Sequence, residues 1–272
     1  MLYGRTAAAT RYRCYAPIGA PLESLILPMQ YDRNIAIARS LEARAEAYEL
    51  HADLQASIAD RLALLLPPLE APRVLELGCG TGLFSRHLVA QYPDGNFVFT
   101  DLARTMLEQC RLNIGLRVRG RARFTQMDGN QPDAALGSFD LITTSMALHW
   151  LSDPVASLAK LRSLLAPNGV LLFATLGPES FAEWRSALDA EGLSDGVITS
   201  PTLPGIVAEE CSIVDASTLA FLRRMKRVGS ATPREGYAKL SAGQLRRAIR
   251  ACDARTGGRV TWHIIYGRLG PL

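Results

Sequence analysis

Three glycines at alternate positions, Gly78, Gly80 and Gly82, follow the run Val74-Leu-Glu-Leu77 and precede Leu83-Phe-Ser-Arg-His-Leu-Val-Ala90. A backbone without Cβ lets a ligand come close, so the stretch reads as a turn around a bound small molecule. Cys79, inside it, fills space with a small side chain. The run before the turn suits a buried parallel strand, interrupted by Glu76. The run after it has helical apolar spacing at 83, 84, 88 and 89. Strand, glycine turn and helix in that order make a nucleotide-cofactor arrangement. A second acidic residue, Asp101, ends the next apolar run, Phe97-Val-Phe-Thr-Asp101. Its carboxylate is placed to accept from two ribose hydroxyls.

Glycine spacing separates two cofactor classes. The dinucleotide fingerprint is G-x-G-x-x-G, with a helix N-terminus on a pyrophosphate. Here the third glycine falls one residue early and position 83 is Leu. Glu76, two residues before the first glycine, would repel a pyrophosphate but can pair with an amine. Together these features resemble the S-adenosylmethionine site of class I methyltransferases, and a dinucleotide oxidoreductase is the weaker reading. Each part of that cofactor then has a partner along the chain. Gly78, Gly80 and Gly82 admit the amino-acid tail, Glu76 orients the site and Asp101 takes the ribose. Leu102 and Met106 sandwich the adenine, although Met106 reads equally well as core. Asp128-Gly129, after the third strand, accepts the exocyclic amine. Ser145 and Met146 end the fourth strand near the sulfonium, at the edge where open α/β sheets bind ligands.

The acceptor is the next question. Methyl transfer is an in-line displacement, and holding the reacting atoms together can supply roughly 7–11 kcal/mol. An oxygen or nitrogen nucleophile of high pKa needs a general base, whereas a carboxylate is already ionised at pH 7. His149, at the pocket edge, is either such a base or a histidine stacked beside Trp150 that shapes the pocket. No other base stands out, which favours a carboxylate acceptor.

The elements that must position these residues follow an alternating pattern. Strands are expected at 73–77, 96–100, 122–126, 139–145 and 169–175, with helices at 82–91, 103–112, 154–165 and 178–190. Asp153-Pro154 opens one helix with a cap and an N1 proline, and Pro167-Asn168-Gly169 is the turn into the fifth strand. A basic amphipathic helix at 219–228, a helix opened by a Ser241/Gln244 capping box and a last strand at 260–269 follow. This is an α/β fold, a Rossmann-like, mostly parallel doubly wound sheet with an antiparallel last strand. Residues 1–30 read as a poorly ordered extension, 31–70 as an N-terminal helical cap and 71–272 as the catalytic domain.

Composition limits the partners. The 272 residues are 48% hydrophobic and 21% charged, as in a soluble globular protein. No run approaches the roughly 18 apolar residues of a membrane span. The five cysteines, at 14, 79, 110, 211 and 252, give neither a disulfide framework nor a zinc pattern. A reducing cytoplasm is expected, with no metal. Residues 219–272 hold twelve Lys or Arg against Glu235 and Asp253, a balance of +10 within a chain of +4, which leaves about −6 elsewhere. Such a basic face fits an acidic partner: nucleic acid, anionic lipid or an acidic carrier protein.

Several stretches carry a closer resemblance. Ala47-Tyr-Glu-Leu-His-Ala-Asp-Leu-Gln55, Asp101-Leu-Ala-Arg-Thr-Met106, Phe139 to Trp150, Ala174-Thr-Leu-Gly177, Phe221 to Ser230 and Thr261 to Arg268 are similar to the malonyl-acyl-carrier-protein O-methyltransferases of biotin synthesis. The resemblance implies methylation of the free carboxyl of a malonyl thioester on acyl-carrier protein, an acidic partner. A monomer is expected, with no nucleic acid or membrane contact. Tyr48, His51 and Gln55 would cap the cofactor pocket, with Tyr48 also at the reaction centre. Arg223 and Arg224 in the basic segment, about 219–250, would hold the malonyl carboxylate or dock the carrier. Rival expectations are a small-molecule carboxyl or quinone-type methyltransferase and a cofactor-binding assembly factor without catalysis. Two departures from the family pattern stand out. Residues 191–217 read as shortened, without a clear sixth strand, and the N-terminal extension has no counterpart.

Overall fold

The computed structural model describes residues 33–271 except 44, 46, 47, 119, 198–201, 214, 216 and 229–236. The expected extension at 1–30 lies outside the described residues, as do 229–236 of the basic segment. Helix α1 spans residues 33–42, and a single turn at Glu49–His51 leads into α2, Asp53–Ala63. Alternation follows: β1 Arg73–Leu77, α3 Ser85–Gln91, β2 Asn96–Asp101, α4 Arg104–Val118, β3 Ala122–Gln126, β4 Phe139–Ser145, α5 Pro154–Arg162, β5 Leu165–Leu176 and α6 Ala182–Ala190. The chain closes with β6 Ile206–Ile213, α7 Thr218–Arg227, α8 Ala242–Thr256 and β7 Thr261–Leu269.

The seven strands lie in the order β3-β2-β1-β4-β5-β7-β6. Strands β1 to β5 pair in parallel, and β7 runs antiparallel between β5 and β6. Side chains alternate across the pleat, so the sheet sorts its residues onto two faces. Val74, Phe97, Leu141, Leu172, Trp262 and Ile264 pack with α2, α3, α6 and α8, whereas Leu75, Val98, Ile142, Leu171 and Ile265 pack with α5. Between β1 and β4 the order reverses, and all parallel strands end on the same edge. Ligands bind at such a switch point.

The structure differs from the expected elements in four main places. A sixth strand does exist, and its weak pattern comes from its place at the sheet edge. Glu209 and Glu210 sit within it, bonded to His263 Nε2 at 3.2 Å and to the Tyr266 hydroxyl at 3.0 Å. Charge on an edge strand blocks unwanted pairing and hides the strand from a hydrophobicity reading. Helix α4 continues to Val118 through Gly115, with Ile114 and Val118 buried while Leu112 and Leu116 face outward. Pro167-Asn168-Gly169 is a register shift inside β5, where Phe139 faces Leu165 but Leu141 faces Val170. Helix α6 begins at Ala182 because Phe181 has a left-handed φ of 61°. The Asp153 cap and the Ser241/Gln244 capping box form as expected.

Candidate functional site

The glycine turn joins the end of β1 to α3. Gly78 and Gly80 have φ of +70° and +54°, a region where Cβ-bearing residues are strained. Their surroundings differ. A Cβ on Gly78 would lie 2.4 Å from Ala147 Cβ, whereas nothing stands within 4 Å of one on Gly80. Gly80 therefore leaves open space for a ligand, and Gly78 lets two chain segments meet. Gly82 faces the protein: its missing side chain makes room for Cys110.

Asp101, at the end of β2, holds this turn from beneath. Its carboxylate accepts from Gly80 N at 2.9 Å and from Ala103 N at 2.8 Å. Burial pushes the carboxyl up to about 6, against the lowering effect of these backbone donors. Glu76 is more enclosed still, at 1% exposure. Its Oε2 accepts from Ser85 Oγ at 2.6 Å, and Oε1 is buried with no partner among the described residues. Burial, with the Asp101 charge adding to it, pushes this carboxyl up to about 8. The Thr81 hydroxyl is likewise buried and unpaired.

These groups line a cleft that is open at its mouth. Gly78, Cys79, Gly80, Leu102, Met106, Asp128, Gly129, Ser145 and Met146 also line it, together with Tyr48 and Gln55. Asp128 already accepts from Asn34 Nδ2 at 2.8 Å and from both nitrogens of Asn130. Helix α1 thus reaches the cleft, contributing Asn34, Ile37 and Leu41. The turn at Glu49–His51 is tied down separately, with Glu49 Oε1 taking hydrogen bonds from Arg86 and Asn113. Met146 occupies a left-handed φ of 57° at the end of β4.

A second, wider cavity adjoins the first. Leu41, Tyr48, Gln55, Met146 and Trp150 line both. Its walls are largely apolar, from Leu176, Phe181, Trp184, Phe221, Leu222, Met225 and Trp262, with Tyr237 and Lys239 toward the outside. His149 also lines it, its Nδ1 3.3 Å from Thr175 Oγ1 and its ring 5.2 Å from that of Trp150. Burial, aided by the charge of Arg33, lowers His149 to about 4, so the ring is neutral at pH 7. Burial and the Asp101 charge raise the Tyr48 hydroxyl, which stays protonated.

Besides Gly82, three expected residues fall outside both linings. His51 lines neither cavity and sits half-buried beside the site. Arg223 and Arg224 also line neither. The helical period turns Phe221, Leu222, Met225 and Val228 inward and the cations outward. Arg224 Nε pairs with the buried Asp215 at 3.1 Å, and Arg223 is exposed. Asn34, Leu41, Trp184, Lys239 and Trp262 were not expected at the site. They come from α1, α6, β7 and the loop before α8, and of these only the tryptophans, as large amphipathic side chains, carried any advance signal.

The residues present fit S-adenosylmethionine. A buried carboxylate oxygen without a partner suits an ammonium, a glycine with open space suits close approach, and the cleft runs past the ends of β1, β2 and β4. Comparisons agree on the class. Residues 75–171 match a family model described as a methyltransferase domain. The YcgJ protein from Bacillus subtilis shares the fold, with a TM-score of 0.56 at 14% identity over 79% of this chain and 99% of that one. Fold and site define a class I, S-adenosylmethionine-dependent methyltransferase. A malonyl-[acyl-carrier protein] O-methyltransferase of Magnetococcus marinus is 38% identical over 252 residues, covering 87% of this chain and 92% of the relative. The bifunctional biotin biosynthesis protein BioCD of Bordetella avium is 39% identical over 89% of this chain, which spans 53% of that longer protein. The chain belongs to the malonyl-[acyl-carrier protein] O-methyltransferase family.

Proposed function

We propose that this enzyme methylates the free carboxyl of a malonyl group carried on acyl-carrier protein, early in biotin synthesis. The observation that carries the reading is the lack of a usable base in the described lining of the second cavity. His149, lowered to about 4, is too weak to take a proton from a hydroxyl or an amine. Tyr48 keeps its proton. The acceptor must therefore arrive as an anion, and a carboxylate does so at pH 7.

When bound, the cofactor would supply a methyl on sulfonium sulfur, which a carboxylate oxygen could take as the S–C electron pair returns to sulfur, with no proton to move. The protein's part is to bind, orient and exclude water. Glu76 would take the ammonium, Asp101 the ribose while steadying the glycine turn, and Asp128 the adenine amine. Met146 and Trp150 wall the passage between the cavities, where an apolar surround keeps water from the attacking oxygen. The second cavity exceeds the size of a malonyl group, which leaves room for part of the carrier's arm.

Carrier docking falls to the outer faces of α7 and α8. Arg223, Lys226, Arg227, Arg246 and Arg250 are exposed there. Acyl-carrier proteins are acidic, so charge attraction would speed encounter. Arg224 supports this face through Asp215. The direct test is mass spectrometry of malonyl-carrier protein after incubation with enzyme and S-adenosylmethionine. A gain of one methylene mass on the malonyl group is expected, and an unchanged mass refutes the reading.

A further inference from the structure

Gln55 stands where the two cavities meet, and its chemistry reaches beyond a cap over the cofactor. The residue is 7% exposed, and its Oε1 is buried without a hydrogen-bond partner among the described residues. Of the five residues that line both cavities, Gln55 alone has such an atom. Leaving a buried amide unpaired is unfavourable, so the position is built for a group that arrives with substrate. Rotation about the terminal side-chain torsion exchanges oxygen and nitrogen at little cost, and the same place then presents two N–H donors.

The alternatives for holding an anion at this junction are few. Among the described lining residues Lys239 is the one Lys or Arg, and it lines the second cavity alone, with an exposed side chain. His149 is neutral. Tyr48 borders both cavities, and the Asp101 charge acts on its hydroxyl. On the reading that the acceptor is a malonyl carboxylate, we propose that the Gln55 amide holds one of its oxygens at the junction and leaves the other free to attack. A neutral donor suits this task. An arginine fork would bind both oxygens and draw charge from the nucleophile, whereas one amide fixes direction and leaves the carboxylate reactive.

The test compares binding of malonyl-carrier protein with that of acetyl-carrier protein, which lacks the carboxylate, to enzyme saturated with S-adenosylhomocysteine. Calorimetry gives both constants and, separately, the cofactor's own. In Gln55→Ala the preference for the malonyl form should fall about tenfold, as expected for one lost bond to a charged group, with cofactor affinity within about twofold. Gln55→Glu should abolish the preference by like-charge repulsion, and Gln55→Asn should restore part of it. Gln55→Leu keeps the bulk without polar atoms and serves should the alanine variant unfold. A tenfold loss of cofactor affinity with the malonyl preference intact would overturn the proposal and return Gln55 to the cofactor. Equal binding of both carriers by the wild-type enzyme would instead refute the substrate reading itself.

Discussion

Glu76 makes cofactor binding and proton release one event. Its folded pKa of about 8 lies far above the ordinary 4.5, because burial removes water and the Asp101 charge adds to the effect. A raised pKa means the fold favours the protonated form. That contribution is complete below about pH 4.5 and is lost as pH rises through 8. By pH 7 about 3 kcal/mol of it has gone, so the ligand-free protein should melt lower at pH 7.5 than at pH 5.5. An ammonium beside Oε1 reverses this by favouring the carboxylate. Affinity should then rise roughly 50-fold from pH 6 to pH 8, with about 0.9 proton released per cofactor at pH 7. Asp101, pushed only to about 6, is mostly ionised at pH 7 and contributes little there. Calorimetry at pH 7 in two buffers of different ionisation enthalpy measures the released proton. Glu76→Gln, which has nothing to titrate, should release none and should bind with little pH dependence. Equal proton release by variant and wild type would refute the assignment.

Asp101→Asn should weaken cofactor binding and also loosen the glycine turn, since an amide cannot accept from both Gly80 N and Ala103 N as the carboxylate does. A loss of about 3 kcal/mol should appear in calorimetry, with a lower melting temperature even without ligand; unchanged values in both would contradict the geometry. The paired change Arg223→Glu/Arg227→Glu should raise KM for malonyl-carrier protein and flatten its salt dependence, while cofactor affinity measured by calorimetry stays put. His149→Gln should leave the pH–rate profile unshifted between pH 6 and 8, because the imidazole takes no proton there; a displaced limb would make it a base after all. Gly267→Ala should cost roughly 3 kcal/mol of stability, seen by thermal melting, since its Cβ would fall 2.0 Å from the Phe173 ring.

What was legible in the chain was local. Gly78, Gly80, Glu76 and Asp101 fall at strand ends of the parallel core, and a strand followed by a turn keeps near neighbours together in space. The second cavity could not be read this way. Leu41, Trp184, Phe221 and Trp262 converge on it from α1, α6, α7 and β7, and only tertiary packing joins them. Strand β6 was hidden because Glu209 and Glu210 break its apolar pattern. Arg223 and Arg224 drew attention by charge, yet the spacing of Phe221, Leu222, Met225 and Val228 already marked which side of α7 faces inward.

Met146 shows where durability and turnover diverge. A side-chain-bearing residue in the left-handed conformation gives up about 1–2 kcal/mol, and among the five residues bordering both chambers it alone does so. Glycine there would ease the backbone while knocking a hole in the partition across which donor and acceptor meet. An engineer selecting for heat tolerance alone would be drawn to that substitution, and would harvest a sturdier protein that has forgotten how to align its reactants.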